Sequence, residues 1–401
     1  MKIDFQKIAD ATRLVRSGEL RAATALIQAA LSGREGSDAP PASQPARAPE
    51  DVIDVPARVV AEAEAARVES QVAPEAVAPE SVATPEPVRE APSRAATAHA
   101  VGPDRFIPGS FANGHDRRDY MLFVPPQAAD RPLPLVVMLH GCMQDPDDFA
   151  AGTKMNELAE KQHCFVLYPA QTSAANGWKC WNWFKATDQQ RDQGEPSIIA
   201  GMTRQVCDAY AVDARRIYVA GLSAGGAMAV TMALAYPELY AAVGIHSGLP
   251  HAVARDLPSA LATMQQGRVS PIGGAAEVIS GSRPVAAIAF HGDRDTTVHP
   301  GNGDQVIAQC MPPSAPQRAQ AAPDPRVTVQ HGQVPQGYAY TRTLYHQIDG
   351  QSIAEHWLIH GAGHVWSGGS ARGSYTDPKG PDAAEHMLRF FLEHPRSEAA
   401  A

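Results

Sequence analysis

Aromatic residues are scarce in this chain, 6% of 401 positions, and only five residues are cysteine. So few cysteines over such a length do not make the dense disulfide framework of a small secreted scaffold. No stretch approaches the roughly eighteen uninterrupted apolar residues of a transmembrane helix, which excludes one. Positive charge is in deficit: 34 Lys and Arg face 43 Asp and Glu, a net charge of -9. A phosphate-binding surface built on clustered cations is therefore not expected, and neither is a nucleic-acid partner. With 44% apolar residues the chain has ample material for a core, so chemistry on a small molecule or a neutral polymer is the better expectation.

Composition divides the chain into three parts. Residues 1–33 place Ile8, Leu14, Val15, Leu20, Leu26, Ile27 and Leu31 at helical spacing around Gly18, which suits a short amphipathic helical segment. It is too short to fold alone, and it could dock to a partner or a polymer surface. Residues 34–100 hold ten prolines, no aromatic residue and no lysine, with Val-Ala-Pro-Glu repeats at 72–75 and 77–80. Such a segment cannot bury enough apolar surface to offset its chain entropy and reads as a disordered linker. Residues 101–395 carry every tryptophan and cysteine and form the expected catalytic domain.

Within that third part, short apolar runs at 120–124, 135–139, 165–168, 217–220, 242–245, 285–290 and 353–359 alternate with helix-length segments, notably 196–210 and 225–235. This alternation predicts an α/β fold with a mainly parallel sheet and crossover helices. Residues 338–345, followed by Asp349 and Gly350, predict a hairpin arm, so the sheet is expected to be mixed. The N-terminus shows no secretory leader of the usual kind, because its apolar run 22–31 is broken by Gln28 and follows mixed charge.

The densest chemical signal is 216–226, R-I-Y-V-A-G-L-S-A-G-G. A serine between two glycines, after a strand and before a helix, can occupy a sharp strained turn that lifts its hydroxyl to the carboxyl edge of a sheet. Ser223 is thus the candidate nucleophile, and the Ala224 N–H at the helix start is a candidate oxyanion donor. A serine hydroxyl needs a base. His364 follows the last predicted strand in H-G-A-G-H-V-W and is preferred over His360, at the strand end itself, and His299, beside the acid loop. The orienting acid should lie between serine and histidine in the chain. Asp293 and Asp295 in H-G-D-R-D-T-T-V both qualify; Asp295 is favoured because it stands further out, with Thr297 and Val298 to anchor its turn and Asp293 as a cap.

A second oxyanion donor is expected from L-H-G-C-M-Q at 139–144, through the Cys142 N–H. Cys142 as nucleophile is the weaker idea, since Ser223 would then lack partners. Cys142 and Cys180 fall near one another in this scheme, so a bridge between their loops is expected; Cys164, Cys207 and Cys310 read as free thiols. His140, His246 and His291 end separate strands without ligand spacing, and no metal or cofactor is expected.

The blocks LHGC with Gln144, CWNWF at 180–184, GLSAGG, HGDRDTTV and GAGHVWSGG resemble, in order and spacing, the esterase family of polyhydroxybutyrate depolymerases. The resemblance spans essentially all of 101–395 and is closer than that to feruloyl or acetylxylan esterases. It implies an α/β-hydrolase fold whose serine cleaves polyesters or oligomers of short 3-hydroxyacids, often outside the cell. The absent leader points instead to the cytoplasm, and no substrate-binding module is expected after 395. An ester substrate also gives the tryptophans a role. Trp178, Trp181, Trp183 and Trp366 would line a groove for an apolar ester chain, with Trp178 and Trp366 the better candidates because Trp181 and Trp183 could equally be core. The alternatives are a carbohydrate esterase with the same three residues, or a polymer- or granule-binding protein.

Overall fold

The computed structural model describes residues 105–397 apart from 115, 129–130, 268–283, 313–323 and 325. The expected helical segment 1–33 and linker 34–100 lie outside the described residues.

The ten strands that the described residues contribute to the main sheet are β1 (Phe106–Asn113), β2 (Asp116–Phe123), β3 (Leu133–Leu139), β4 (Phe165–Pro169), β5 (Val212–Leu222), β6 (Ala242–His246), β7 (Ala286–Gly292), β8 (Val327–Gln333), β9 (Ala339–His346) and β10 (Ser352–His360). Their order across it is β1-β2-β4-β3-β5-β6-β7-β10-β9-β8. The six from β4 to β10 run parallel, while β1 and β2 at one side and β9 and β8 at the other pair antiparallel. The sheet is therefore mixed, with a parallel centre.

Strands β3 and β4 are apolar and buried along their whole length because both faces are covered. Alternate residues of β3 face opposite layers: Leu135, Val137 and Leu139 join one core cluster, Val136 and Met138 the other. The first layer is supplied by α3 (Gly194–Ala209), α4 (Ala224–Ala235), α5 (Leu257–Gln266) and α6 (Gly301–Cys310). The second comes from α1 (Pro146–Thr153), α2 (Met155–Gln162) and α7 (Ala383–Glu393), whose Met387, Leu388, Phe390 and Phe391 are buried. Helix α4 is apolar nearly all round because it is buried nearly all round.

Chain order makes β3 and β5 decisive. From β3 the chain crosses to β4 on one side and then to β5 on the other, so β3 and β5 flank a point where the winding reverses. In open parallel sheets, ligands bind outside the carboxyl ends of strands at such a point. Here those ends are Leu139 and Leu222, paired through Leu139 with Gly221 and through Leu222 with His246. The loops that leave this edge hold the residues singled out above.

Candidate active site

Ser223 connects β5 to α4 with φ 57° and ψ −118°, a conformation that L residues rarely adopt and that stores roughly 1–3 kcal/mol. The flanking glycines make the turn sterically feasible. A Cβ on Gly225 would stand 2.0 Å from the Leu139 carbonyl oxygen, and one on Gly221 would stand 2.4 Å from the Gly225 carbonyl carbon. The first turn of α4 therefore rests directly on the end of β3. The Ser223 N–H donates to the His246 carbonyl at 2.9 Å, which ties the turn to the neighbouring strand. The positive end of the α4 dipole sits at the serine.

The loops after β7 and β10 are bonded to each other. Asp293 and Arg294 donate their N–H groups to the carbonyls of Ile359 and Ala362, each at 3.0 Å. Gly292 faces the Ala362 carbonyl so closely that a Cβ would stand 2.3 Å from it. Between these loops His364 Nδ1 meets Asp295 Oδ2 at 2.6 Å. An ionised carboxylate only accepts, so Nδ1 carries a proton, and in the neutral imidazole this leaves the lone pair on Nε2. Asp295 Oδ1 accepts from the N–H groups of Thr297 and Val298 at 2.9 and 2.8 Å, and His291 Nε2 stands 3.4 Å from Oδ2. Burial works to raise this carboxyl, but bonds from His291 and His364 hold it far below the usual carboxylate range.

Asp293 does something else. It accepts from His360 Nδ1 at 3.0 Å and from the Gly361 N–H at 2.7 Å, capping the loop, and His360 Nε2 is bonded to the Thr341 hydroxyl. Of the two aspartates, Asp295 is the one bonded to His364.

In the loop after β3, the Gly141 N–H is taken by Gln144 Oε1 at 2.9 Å and the Met143 N–H by the Trp178 carbonyl at 2.7 Å. Among the described residues no acceptor is bonded to the N–H of Cys142, which lies between them, or to that of Ala224. Gln144 Nε2 also donates to Asp148 and to the Ser374 carbonyl, joining this loop to the chain beyond His364. Cys142 and Cys180 form a disulfide with their Cα atoms 4.2 Å apart.

Two networks missed by sequence reasoning support the edge. His140 Nδ1 donates to the Gly141 carbonyl, while its Nε2 accepts from the Gln171 N–H; burial lowers its pKa to about 4. Gln171 in turn reaches the Cys180 carbonyl and Glu195, whose carboxylate also receives the backbone and side-chain N–H groups of Asn182. Burial pushes Glu195 up to about 7 despite these donors. The signal lay in polar residues inside otherwise apolar segments, such as Gln171 after β4.

The tryptophan expectation needs correction. Trp366 has no exposed surface: it stacks on His246 at 5.2 Å and meets Phe149 edge-on, because the Ser367 N–H bonds His246 Nε2 and pulls this segment inward. Trp181 and Trp183 are also core, Trp181 lying against His140. None of these three can line a groove. Trp178, 41% exposed, can, and Met143, 43% exposed, stands beside it across the Met143–Trp178 backbone bond. Cys164 and Cys310 are buried free thiols pushed up to about 12, and Cys207 is a partly buried one.

Residues 118–320 match the family described as esterase PHB depolymerase. The match contains Ser223 and Asp295 and ends before His364. Similar curated proteins include poly(3-hydroxyalkanoate) depolymerase C of Paucimonas lemoignei, 32% identical over 238 residues that cover 58% of this chain and 54% of that protein. A probable acetylxylan esterase A of Aspergillus fumigatus is 30% identical over 200 residues, 47% of this chain and 53% of that one. Feruloyl esterase B of Neurospora crassa is 32% identical over 131 residues, 32% and 44% respectively. The chain thus spans about half the length of the curated relatives it matches. Among solved structures, acetyl xylan esterase from Aspergillus awamori aligns with a TM-score of 0.55 and 21% identity over 72% of this chain and 99% of that chain, a likeness of fold. That fold is the α/β-hydrolase fold. Among the described residues no helix is long and apolar enough to cross a membrane.

Proposed function

The chain belongs to the esterase PHB depolymerase family, and on that footing we propose that it is a serine esterase acting on polyesters or oligomers of short 3-hydroxyacids. The observation that carries the reading is the 2.6 Å bond between Asp295 and His364 on loops leaving the same sheet edge as the strained Ser223 turn. Ser223 attacks the ester carbonyl as His364 Nε2 takes its proton. Asp295 holds the imidazole in the required tautomer and stabilises its charged form without accepting the proton. The N–H groups of Cys142 and Ala224 hold the developing oxyanion, the alcohol departs with the proton from His364, and water releases the acid from the acyl-enzyme by the reverse sequence.

The exposed pair Met143 and Trp178, next to the proposed oxyanion donor, supports an apolar substrate chain. A flat ring would also suit the sugar of an acetylated or feruloylated polysaccharide, and the named relatives include esterases of both kinds. A disulfide that persists fits an oxidising compartment, so we place the protein outside the cytosol. Ser223→Ala is expected to retain its fold and lose turnover of p-nitrophenyl butyrate; activity close to that of the parent would sink the mechanism. Comparing hydroxybutyrate oligomers with acetylated and feruloylated xylan fragments separates the two substrate classes by kcat/KM.

A further inference from the structure

His291, at the end of β7, is fully buried and has no part in the mechanism above. Its Nε2 stands 2.9 Å from the Val298 carbonyl oxygen and 3.4 Å from Asp295 Oδ2. A carbonyl only accepts, so Nε2 carries the proton and donates it to Val298, with Asp295 Oδ2 as its next-nearest oxygen. His291 thus brings a further N–H close to a carboxylate that accepts three hydrogen bonds, from the N–H groups of Thr297 and Val298 on Oδ1 and from His364 on Oδ2. Two of those bonds come from the carboxylate's own turn and the third from the base it orients in the reading above, while His291 is the neighbour of Oδ2 at the end of β7.

We propose that His291 is a positioning residue for ester hydrolysis: its shared Nε2–H fixes the second oxygen of Asp295, so that the carboxylate presents one lone pair to His364 in a single geometry. The inference rests on the Ser223–His364–Asp295 reading. The geometry also accounts for Gly303 in α6, where a Cβ would come within 3.3 Å of His291 Nδ1 and 2.7 Å of His356 Nε2; a larger residue would push the ring off Asp295. The groups that face His291 are Asp295 and His364 on the two loops, His246 on β6, His356 on β10 and, through His356, Asp304 on α6. His246 is held neutral by burial first and then by the nearby His291 and His364, so Asp295 is the acidic group that His291 meets directly.

The tests are a spectrum and two variants. In 15N-histidine spectra of the intact wild-type protein, His291 is expected to carry its proton on Nε2 near neutral pH; a proton on Nδ1 alone would overturn the proposal, even if substitution blocks folding. His291→Leu removes the donor, and His291→Gln places an amide N–H where Nε2 stood. Leucine should lower kcat on p-nitrophenyl butyrate by roughly tenfold, the scale of one lost hydrogen bond to a charged group, with KM little changed. With one donor gone, Asp295 becomes a stronger acceptor for His364, so the acid limb of the kcat/KM profile should move to higher pH, and glutamine should restore most of both effects. A folded leucine variant whose acid limb coincides with that of wild type, only its stability reduced, makes His291 a packing residue and ends the proposal while leaving the triad intact. If Ser223→Ala is still active, the underlying mechanism fails instead, whatever the His291 variants do.

Discussion

Removing the Cys142–Cys180 bridge tests the link between loop cross-linking and oxyanion stabilisation. The cross-link joins positions 38 apart in sequence. In the chain-entropy treatment, opening a loop of that length returns about 13 cal/mol/K to the unfolded state, or about 4 kcal/mol at 25 °C. The Cys142 N–H would then be held only through its neighbours, by the bonds from Gly141 to Gln144 at 2.9 Å and from Met143 to Trp178 at 2.7 Å. Complete loss of an oxyanion donor costs roughly a hundred- to a thousandfold in rate, and with those two bonds intact a smaller fall of about tenfold is expected. The assay pairs urea unfolding of Cys142→Ser/Cys180→Ser with kcat on a soluble ester at a temperature where both proteins are folded. Unfolding free energy should fall by about 4 kcal/mol and kcat by about tenfold, with KM for a small ester nearly unchanged. A variant that matches the parent in both quantities would show that the bridge neither constrains the chain nor positions the amide.

Two further outcomes follow from the site. Asp295→Asn sets an amide N–H against either two backbone donors or two imidazoles, favours the wrong tautomer of His364, and should cost about 10⁴ in kcat. Asp293→Asn should cost only a few-fold, and equal losses at the two positions would contradict the assignment of the acid. Acidification should destabilise the fold, since burial lowers His140 and His251 to about 4 and His246 to about 3. Below their ordinary 6.5 the unfolded chain takes up protons that the folded protein refuses, so this contribution is complete above 6.5 and is lost as pH falls toward 4. Glu195, raised to about 7 from 4.5, opposes this by favouring the folded state as pH falls across that interval. Melting temperature should still drop between pH 7 and pH 5, and His251→Gln should flatten the drop; an unchanged slope in that variant counts against the burial argument.

The sequence was most legible where burial is continuous. The seven apolar runs became strands because each is covered on both faces, and G-L-S-A-G was readable because only glycine tolerates the contacts at 221 and 225. Strands β1 and β8 escaped notice: both are edges, β8 is polar and mostly exposed, and β1 is interrupted by Pro108 and Gly109. Trp366 was misplaced because chain proximity to His364 says nothing about direction; the segment turns inward to bond His246. His291 and Gln144 stood in plain view within their motifs, but a residue whose work is to hold another has no spacing rule to reveal it. Asp295 could be favoured over Asp293 because it stands two residues further out on the loop, with Thr297 and Val298 to anchor its turn, and those two residues do donate their N–H groups to it.

The hairpin between β9 and β10 turns at Asp349 and Gly350, with Gly350 at φ 86° and open space around it. From there β10 runs nine residues to His360 at the rim that carries the proposed chemistry, a separation of roughly 30 Å at the usual rise per strand residue. A cross-linking handle grafted at that turn would therefore fasten the chain to a solid support from the opposite end of β10 to the proposed site. Met143 and Trp178 would be left free of the support, open to the ester substrate proposed above.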